Sequence, residues 1–143
     1  MAEVLSTCAS LRIFGADLDP EKITLLLGCA PTRSERRGEM MGPKRNFRAR
    51  NGGWRLSLER GEGDCLSEQI ARLLDATVAP PEAWEEITRE FRVDMFCGVW
   101  LDEPGQGLVV SPEAMRELGR RGIHLELDIY YPLDDQEEAN AEA

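Results

Sequence analysis

Histidine is almost missing from this 143-residue chain, where His124 stands alone. A single imidazole weakens any histidine-based metal site or nucleophilic triad. The four cysteines, Cys8, Cys29, Cys65 and Cys97, lie far apart and include no Cys-x-x-Cys pair. The close-spaced ligands of a structural zinc are therefore lacking, and the thiols read as free, packed as small hydrophobes. No apolar run approaches the ~20 residues that span a bilayer. Met1-Ala2-Glu3-Val4 has neither the basic start nor the apolar stretch of a signal peptide. These absences lead us to expect a soluble, cytoplasmic protein with no membrane partner. There is also no GxxxxGK(S/T) or GxGxxG loop, no Gly-x-Ser-x-Gly elbow and no His-Glu-x-x-His helix. Gly52-Gly53 and Gly61-Glu62-Gly63 read as turns. The expectation is no cofactor, no metal and no catalytic set.

Positive charge is scarce as well. The net charge is −10, yet residues 33–50 hold Arg33, Arg36, Arg37, Lys44, Arg45, Arg48 and Arg50 against only Glu35 and Glu39. That stretch is +5, which leaves −15 on the remainder. An acidic body attracts basic partners and repels polyanions, so nucleic acid is disfavoured as a ligand. The segment from Lys44 to Trp54 interleaves guanidinium groups with Phe47 and Trp54, as single-strand nucleic-acid sites do. A charged edge strand or hairpin that discourages aggregation accounts for it more simply.

What the chain does contain is a pattern written twice. Leu11-Arg12-Ile13-Phe14 leads to Asp19-Pro20-Glu21 and an apolar run ending at Leu27-Gly28. Gly107-Leu108-Val109-Val110 leads to Ser111-Pro112-Glu113 and a run closing at Leu118-Gly119 and Gly122. Each reads as a strand, an N-cap oxygen, proline at the first helical position, a short helix and a glycine stop.

The remaining elements follow from periodicity. Leu5, Thr7, Ala9, Leu11 and Ile13 alternate with polar residues as a first strand with one buried face. Residues 29–53 form an irregular excursion with a short strand near 44–50. Residues 54–59 alternate as a strand. Asp64 can cap a helix carrying Leu66, Ile70, Leu73 and Leu74, and Pro80-Pro81 separates it from another with Trp84, Ile87 and Phe91. The glutamates of that second helix, Glu82, Glu85, Glu86 and Glu90, read as its solvated side. Residues 92–101 are β-rich, and the turn residues 102–105 predict that 107–110 return as a hairpin partner. Residues 123–131 form the last strand. Residues 134–143 carry five acidic groups and no large apolar one, the composition of a disordered tail.

The expected fold class is α+β, with residues 1–133 as a single domain. One mostly antiparallel or mixed sheet carries helices packed on one face, and the repeated unit suggests two similar strand–helix halves. The motifs from Leu11-Arg12-Ile13 through Asp19-Pro20-Glu21-Lys22-Ile23-Thr24 and Leu27-Gly28 to Gly53-Trp54-Arg55-Leu56-Ser57 resemble an uncharacterised bacterial family, a domain of unknown function (DUF4279-like). Ser111-Pro112-Glu113, Leu118-Gly119 and Leu127-Asp128-Ile129-Tyr130 extend the resemblance over residues 8–131. It implies one bacterial domain and brings no activity or catalytic residue with it.

Candidate functional residues gather on one sheet face. On the closing strand His124, Glu126, Asp128 and Tyr130 share a side, opposite Ile123, Leu125, Leu127, Ile129 and Tyr131. Successive members lie ~7 Å apart by the strand rise. Neighbouring strands add Arg12 and Phe14, Arg55 and Ser57, then Arg92, Asp94, Phe96 and Trp100. Arginines and aromatics are the residues that anchor interfaces. For the carboxylates and His124, an outer face made polar for solubility outweighs acid–base chemistry or metal binding. Sequence alone leaves open whether residues 29–53 cover Phe96 and Trp100, and it leaves the oligomeric state open too. The leading expectation is a non-enzymatic protein-binding domain, such as an acidic inhibitor or immunity-type protein with a basic protein partner. The alternative is a small enzyme or ligand-binding domain using the polar face of the last strand.

Overall fold

The chain, seen as a computed structural model, is described over residues 6–59 and 65–131. Strand β1 (Ser6–Gly15) lies at the middle of a five-stranded sheet, because Thr7, Ala9, Leu11 and Ile13 bury one of its faces. On one side it pairs antiparallel with β5 (Gly52–Ser57), which in turn pairs with the short edge strand β2 (Arg33–Glu35). On the other side it pairs antiparallel with β6 (Arg92–Trp100), and β7 (His124–Tyr130) adds to β6 in parallel. The spatial order is β2-β5-β1-β6-β7.

Among the described residues four helices cover one face: α1 (Pro20–Leu27), α2 (Leu66–Asp75), α3 (Pro81–Glu90) and α4 (Pro112–Arg121). Ile23, Leu27, Ile70, Leu73, Trp84, Ile87 and Leu118 meet Ala9, Leu11, Ile13, Val93, Met95 and Cys97 in one core. Two polar contacts fix the helices to the strands. Trp54, 1% exposed, donates its indole N–H to Thr24 Oγ1 at 3.0 Å, joining β5 to α1. Gln69 donates Nε2 to the Thr7 carbonyl at 3.0 Å and accepts from Thr7 Oγ1 at 3.3 Å, joining α2 to β1. Buried polar atoms without such partners would cost more than the helices gain by approaching.

The architecture is the expected α+β arrangement, and both helix caps form. Asp19 accepts from the Glu21 N–H at 3.0 Å and Ser111 from the Ala114 N–H at 3.1 Å. Gly28 and Gly122 end their helices in the left-handed region that glycine favours. Gly119, expected to help close the second unit, lies inside α4 instead.

The strand of the second unit does not form. Residues 108–110 are irregular and Gly107 makes only an isolated bridge. The hairpin expected there is replaced by β7, which takes seven rungs along β6 from Asp94–His124 to Trp100–Tyr130. With β1 on its other side, β6 has no edge left. A parallel neighbour needs a long crossover, and α4 supplies it. The repeat is thus one of caps, not of whole strand–helix halves.

The position before α2 is held by Cys65, whose side chain makes no capping bond. Asp64, the turn 61–63 and the acidic tail 134–143 lie outside the described residues. The excursion carries the strand expected near 44–50 as β4 (Phe47–Arg48). It pairs with β3 (Met40–Met41) in a separate two-stranded ribbon.

Candidate functional site

The face of the sheet opposite the helices carries all eleven candidate residues in register. One line of directly opposed positions runs Arg33, Arg55, Arg12, Asp94, His124 across all five strands. A second runs Ser57, Ser10, Phe96, Glu126, and Phe14 lies opposite Arg92 on a third. Trp100 faces Tyr130, and Asp128 faces Gly98. Alternate residues share this face because the registers of β1, β5, β6 and β7 run without interruption.

The centre of this surface is Arg12. Its Nε and Nη2 donate to the two carboxylate oxygens of Asp94, both at 2.7 Å, and Nη2 also reaches Glu126 at 3.3 Å. Its guanidinium lies 4.2 Å from the Phe96 ring centre and 5.5 Å from that of Phe14. These hydrogen bonds to the Asp94 carboxylate hold the Arg12 pKa above the usual arginine value. Glu126 is shared with Arg92 at 3.9 Å.

Toward β7 the surface is aromatic and acidic. Trp100 and Tyr130 stack with ring centres 5.3 Å apart and planes 16° from parallel. The Tyr130 hydroxyl donates to Asp128, which raises the pKa of the phenol. Gly98 makes room for this pair, since a Cβ there would lie 2.5 Å from the Trp100 ring.

Toward β2 the same face turns into a cleft of about 440 Å3. Its floor is Arg12, Phe14, Arg33 and Arg55, and its wall is Met41, Phe47 and Arg50 of the excursion. Ion pairs from Arg36 to Asp19 at 2.8 Å and from Arg37 to Asp17 at 3.1 Å hold the excursion against the turn after β1. Phe96 and Trp100 do not line this cleft.

Arg33, Glu35, Phe47 and Arg50 line the cleft beside Arg12, Phe14 and Arg55, and no periodicity in the sequence points to them. Strands of two or three residues are too short to show a period, so only the excess of arginine pointed there.

The carboxylates that could serve as acids or bases are already engaged. Asp94 is fully buried under Arg12, Glu126 bridges two arginines and Asp128 accepts from Tyr130. Among the described residues no group of three or more His, Cys, Asp or Glu side chains is placed to hold a metal ion. No helix among them is long and apolar enough to cross a membrane.

A five-stranded mixed sheet with helices on one side and a polar, arginine- and aromatic-bearing face on the other defines an α+β fold with an open sheet surface. The model of one family, a domain of unknown function (DUF4279), matches residues 5–132, and the chain belongs to that family. No curated protein and no solved structure matches this chain.

Proposed function

We propose that the chain is a non-enzymatic protein-binding domain, an acidic inhibitor or immunity-type protein whose partner is a basic protein. The observation that carries this reading is the β7 edge. Among the described residues β7 pairs only with β6, so its outer row of backbone groups is open to another strand. Leu125, Leu127 and Ile129 are 38%, 41% and 57% exposed on its helix side, while Glu126, Asp128 and Tyr130 line the other. Long edges of this kind are usually blunted, and one left open is a template for strand addition.

The charge pattern selects the partner. Antiparallel pairing of β7 with a second copy of itself, centred on Leu127, would set Glu126 opposite Asp128 twice, and directly opposed like charges destabilise a sheet. A strand alternating apolar and basic residues satisfies both faces instead. The −10 net charge speeds encounter with such a partner. The engaged carboxylates favour recognition over acid–base chemistry. The same reading sets the protein in a bacterial cytoplasm.

The test is retention from an extract of the native cells on the immobilised chain. A basic protein should be held at low salt, released as salt rises, and lost with Glu126→Lys/Asp128→Lys. Retention that ignores both salt and the double reversal overturns the reading.

A further inference from the structure

The register sets Arg33, Arg55 and Arg12 side by side on three adjacent strands, about 5 Å apart by the strand spacing. With Arg50 they open onto the cleft beneath the excursion. Like charges opposed in this way destabilise a sheet unless something answers them. Asp94 answers Arg12. Arg55 has no such partner: it is partly buried, and its guanidinium makes no hydrogen bond or ion pair among the described residues. Burial first, then the nearby Arg12 and Arg33, hold its pKa below the ordinary arginine value. Allowing Glu35 to offset one further charge, two positive charges in the cleft remain unanswered.

We propose that this cleft binds the phosphate monoester of a small organic molecule. The phosphoryl group sits on Arg55 between Arg33 and Arg12, and the organic part lies against Phe14, Met41 and Phe47. A phosphoryl group carries about −1.5 to −2 charge near neutral pH and three acceptor oxygens, which matches the two unanswered cations. Guanidinium forks pair with such oxygens two at a time. A carboxylate brings one charge and leaves an arginine unanswered. A polynucleotide would meet the acidic body. The volume of about 440 Å3 falls in the small-ligand range of roughly 300 to 1,000 Å3. The site goes beyond the protein-binding reading, because it lies at the β2–β5 end of the sheet and away from the β7 edge.

Calorimetric titration of the full chain with phenyl phosphate, inorganic phosphate and benzoate tests the assignment. Phenyl phosphate should bind best, inorganic phosphate less well and benzoate least. Arg55→Gln should bind phenyl phosphate roughly 10- to 100-fold more weakly. The same variant should melt no lower than the parent without ligand, since it relieves repulsion. Arg89→Gln, which removes an equal charge from the exposed side of α3, should bind as the parent does. If Arg55→Gln does not fold, Arg33→Gln on the exposed edge strand carries the same comparison. The proposal is overturned if the folded parent does not bind phenyl phosphate, or if benzoate binds as tightly. It is equally overturned if Arg89→Gln loses as much affinity as the cleft variant, or if a single-stranded oligonucleotide outcompetes phenyl phosphate at the same arginines.

Discussion

Arg12 and Asp94 face each other across β1 and β6, joined by two parallel hydrogen bonds of 2.7 Å, with the carboxylate fully buried and the guanidinium at the surface of the open sheet. This pair is the hinge between the two ends of that surface. Arg12 carries one charge of the cationic row on its left and is held by the acidic side on its right.

Removing Arg12 strands a buried carboxylate. Arg12→Ala should therefore destabilise the protein by about 3 to 5 kcal/mol, the usual consequence of breaking a buried pair from one side. Arg12→Met combined with Asp94→Leu should recover much of that loss, since no uncompensated charge remains. Urea unfolding of the three variants against the parent reads both effects. A single mutant as stable as the parent would mean that Asp94 finds another partner.

The helix caps separate two roles of one residue. Asp19 accepts from the Glu21 N–H and also receives Arg36 at 2.8 Å, whereas the Ser111 side chain serves its own helix. Alanine at either site should cost about 0.5 to 2 kcal/mol in thermal or urea unfolding. Asp19→Asn keeps the cap but loses the ion pair, so it should fall between parent and alanine. It should also loosen the excursion, read as faster hydrogen exchange at Gly38 and Ala49, whose backbone groups pair across the ribbon base. Equal exchange in Asp19→Asn and the parent would show that Arg36 does not tether the excursion.

These caps, the alternation of β1 and the membership of the open face were legible because each is a local signal. Asp19-Pro20-Glu21 and Ser111-Pro112-Glu113 carry their own hydrogen bonds, and alternate residues must share a face once a strand exists. The neighbour of β6 was not legible. Leu108-Val109-Val110 has the composition of a strand, yet the tertiary competition for the β6 edge went to residues 124–130. The Arg12–Asp94 pair spans 82 positions of sequence, and no period connects them. The cleft stayed hidden for a related reason: its wall comes from a ribbon of two-residue strands.

Gly98 decides whether the aromatic pair can form. A Cβ at this position would meet the tip of the Trp100 ring at 2.5 Å, and that ring can swing toward solvent. Gly98→Ala should leave stability within about 1 kcal/mol of the parent while breaking the Trp100–Tyr130 stack. Near-ultraviolet circular dichroism should report the lost stack. If β7 and its face bind the partner, retention of that partner should fall together with the signal. A variant that keeps the parent spectrum would show that the sheet, rather than the ring, gives way.

Cys97 makes an alkaline prediction whose sign can be worked out. It is fully buried in the core, and burial, reinforced by Asp94 and Cys8, pushes its thiol from 9.0 up to about 12. The folded chain thus holds this proton more tightly than the unfolded chain does. The stabilisation is complete below about pH 9 and is lost as pH rises toward 12. Cys97→Ala removes the linked proton, so its unfolding free energy should decline less steeply than the parent's between pH 9 and 11. Slopes are the quantity to compare, because the smaller side chain lowers stability at every pH. In the folded parent at pH 8, iodoacetamide should label the exposed Cys65 readily and spare Cys97 until urea opens the core. Parallel stability slopes with rapid labelling of Cys97 would place that thiol in contact with water and contradict its position between β6 and the helices.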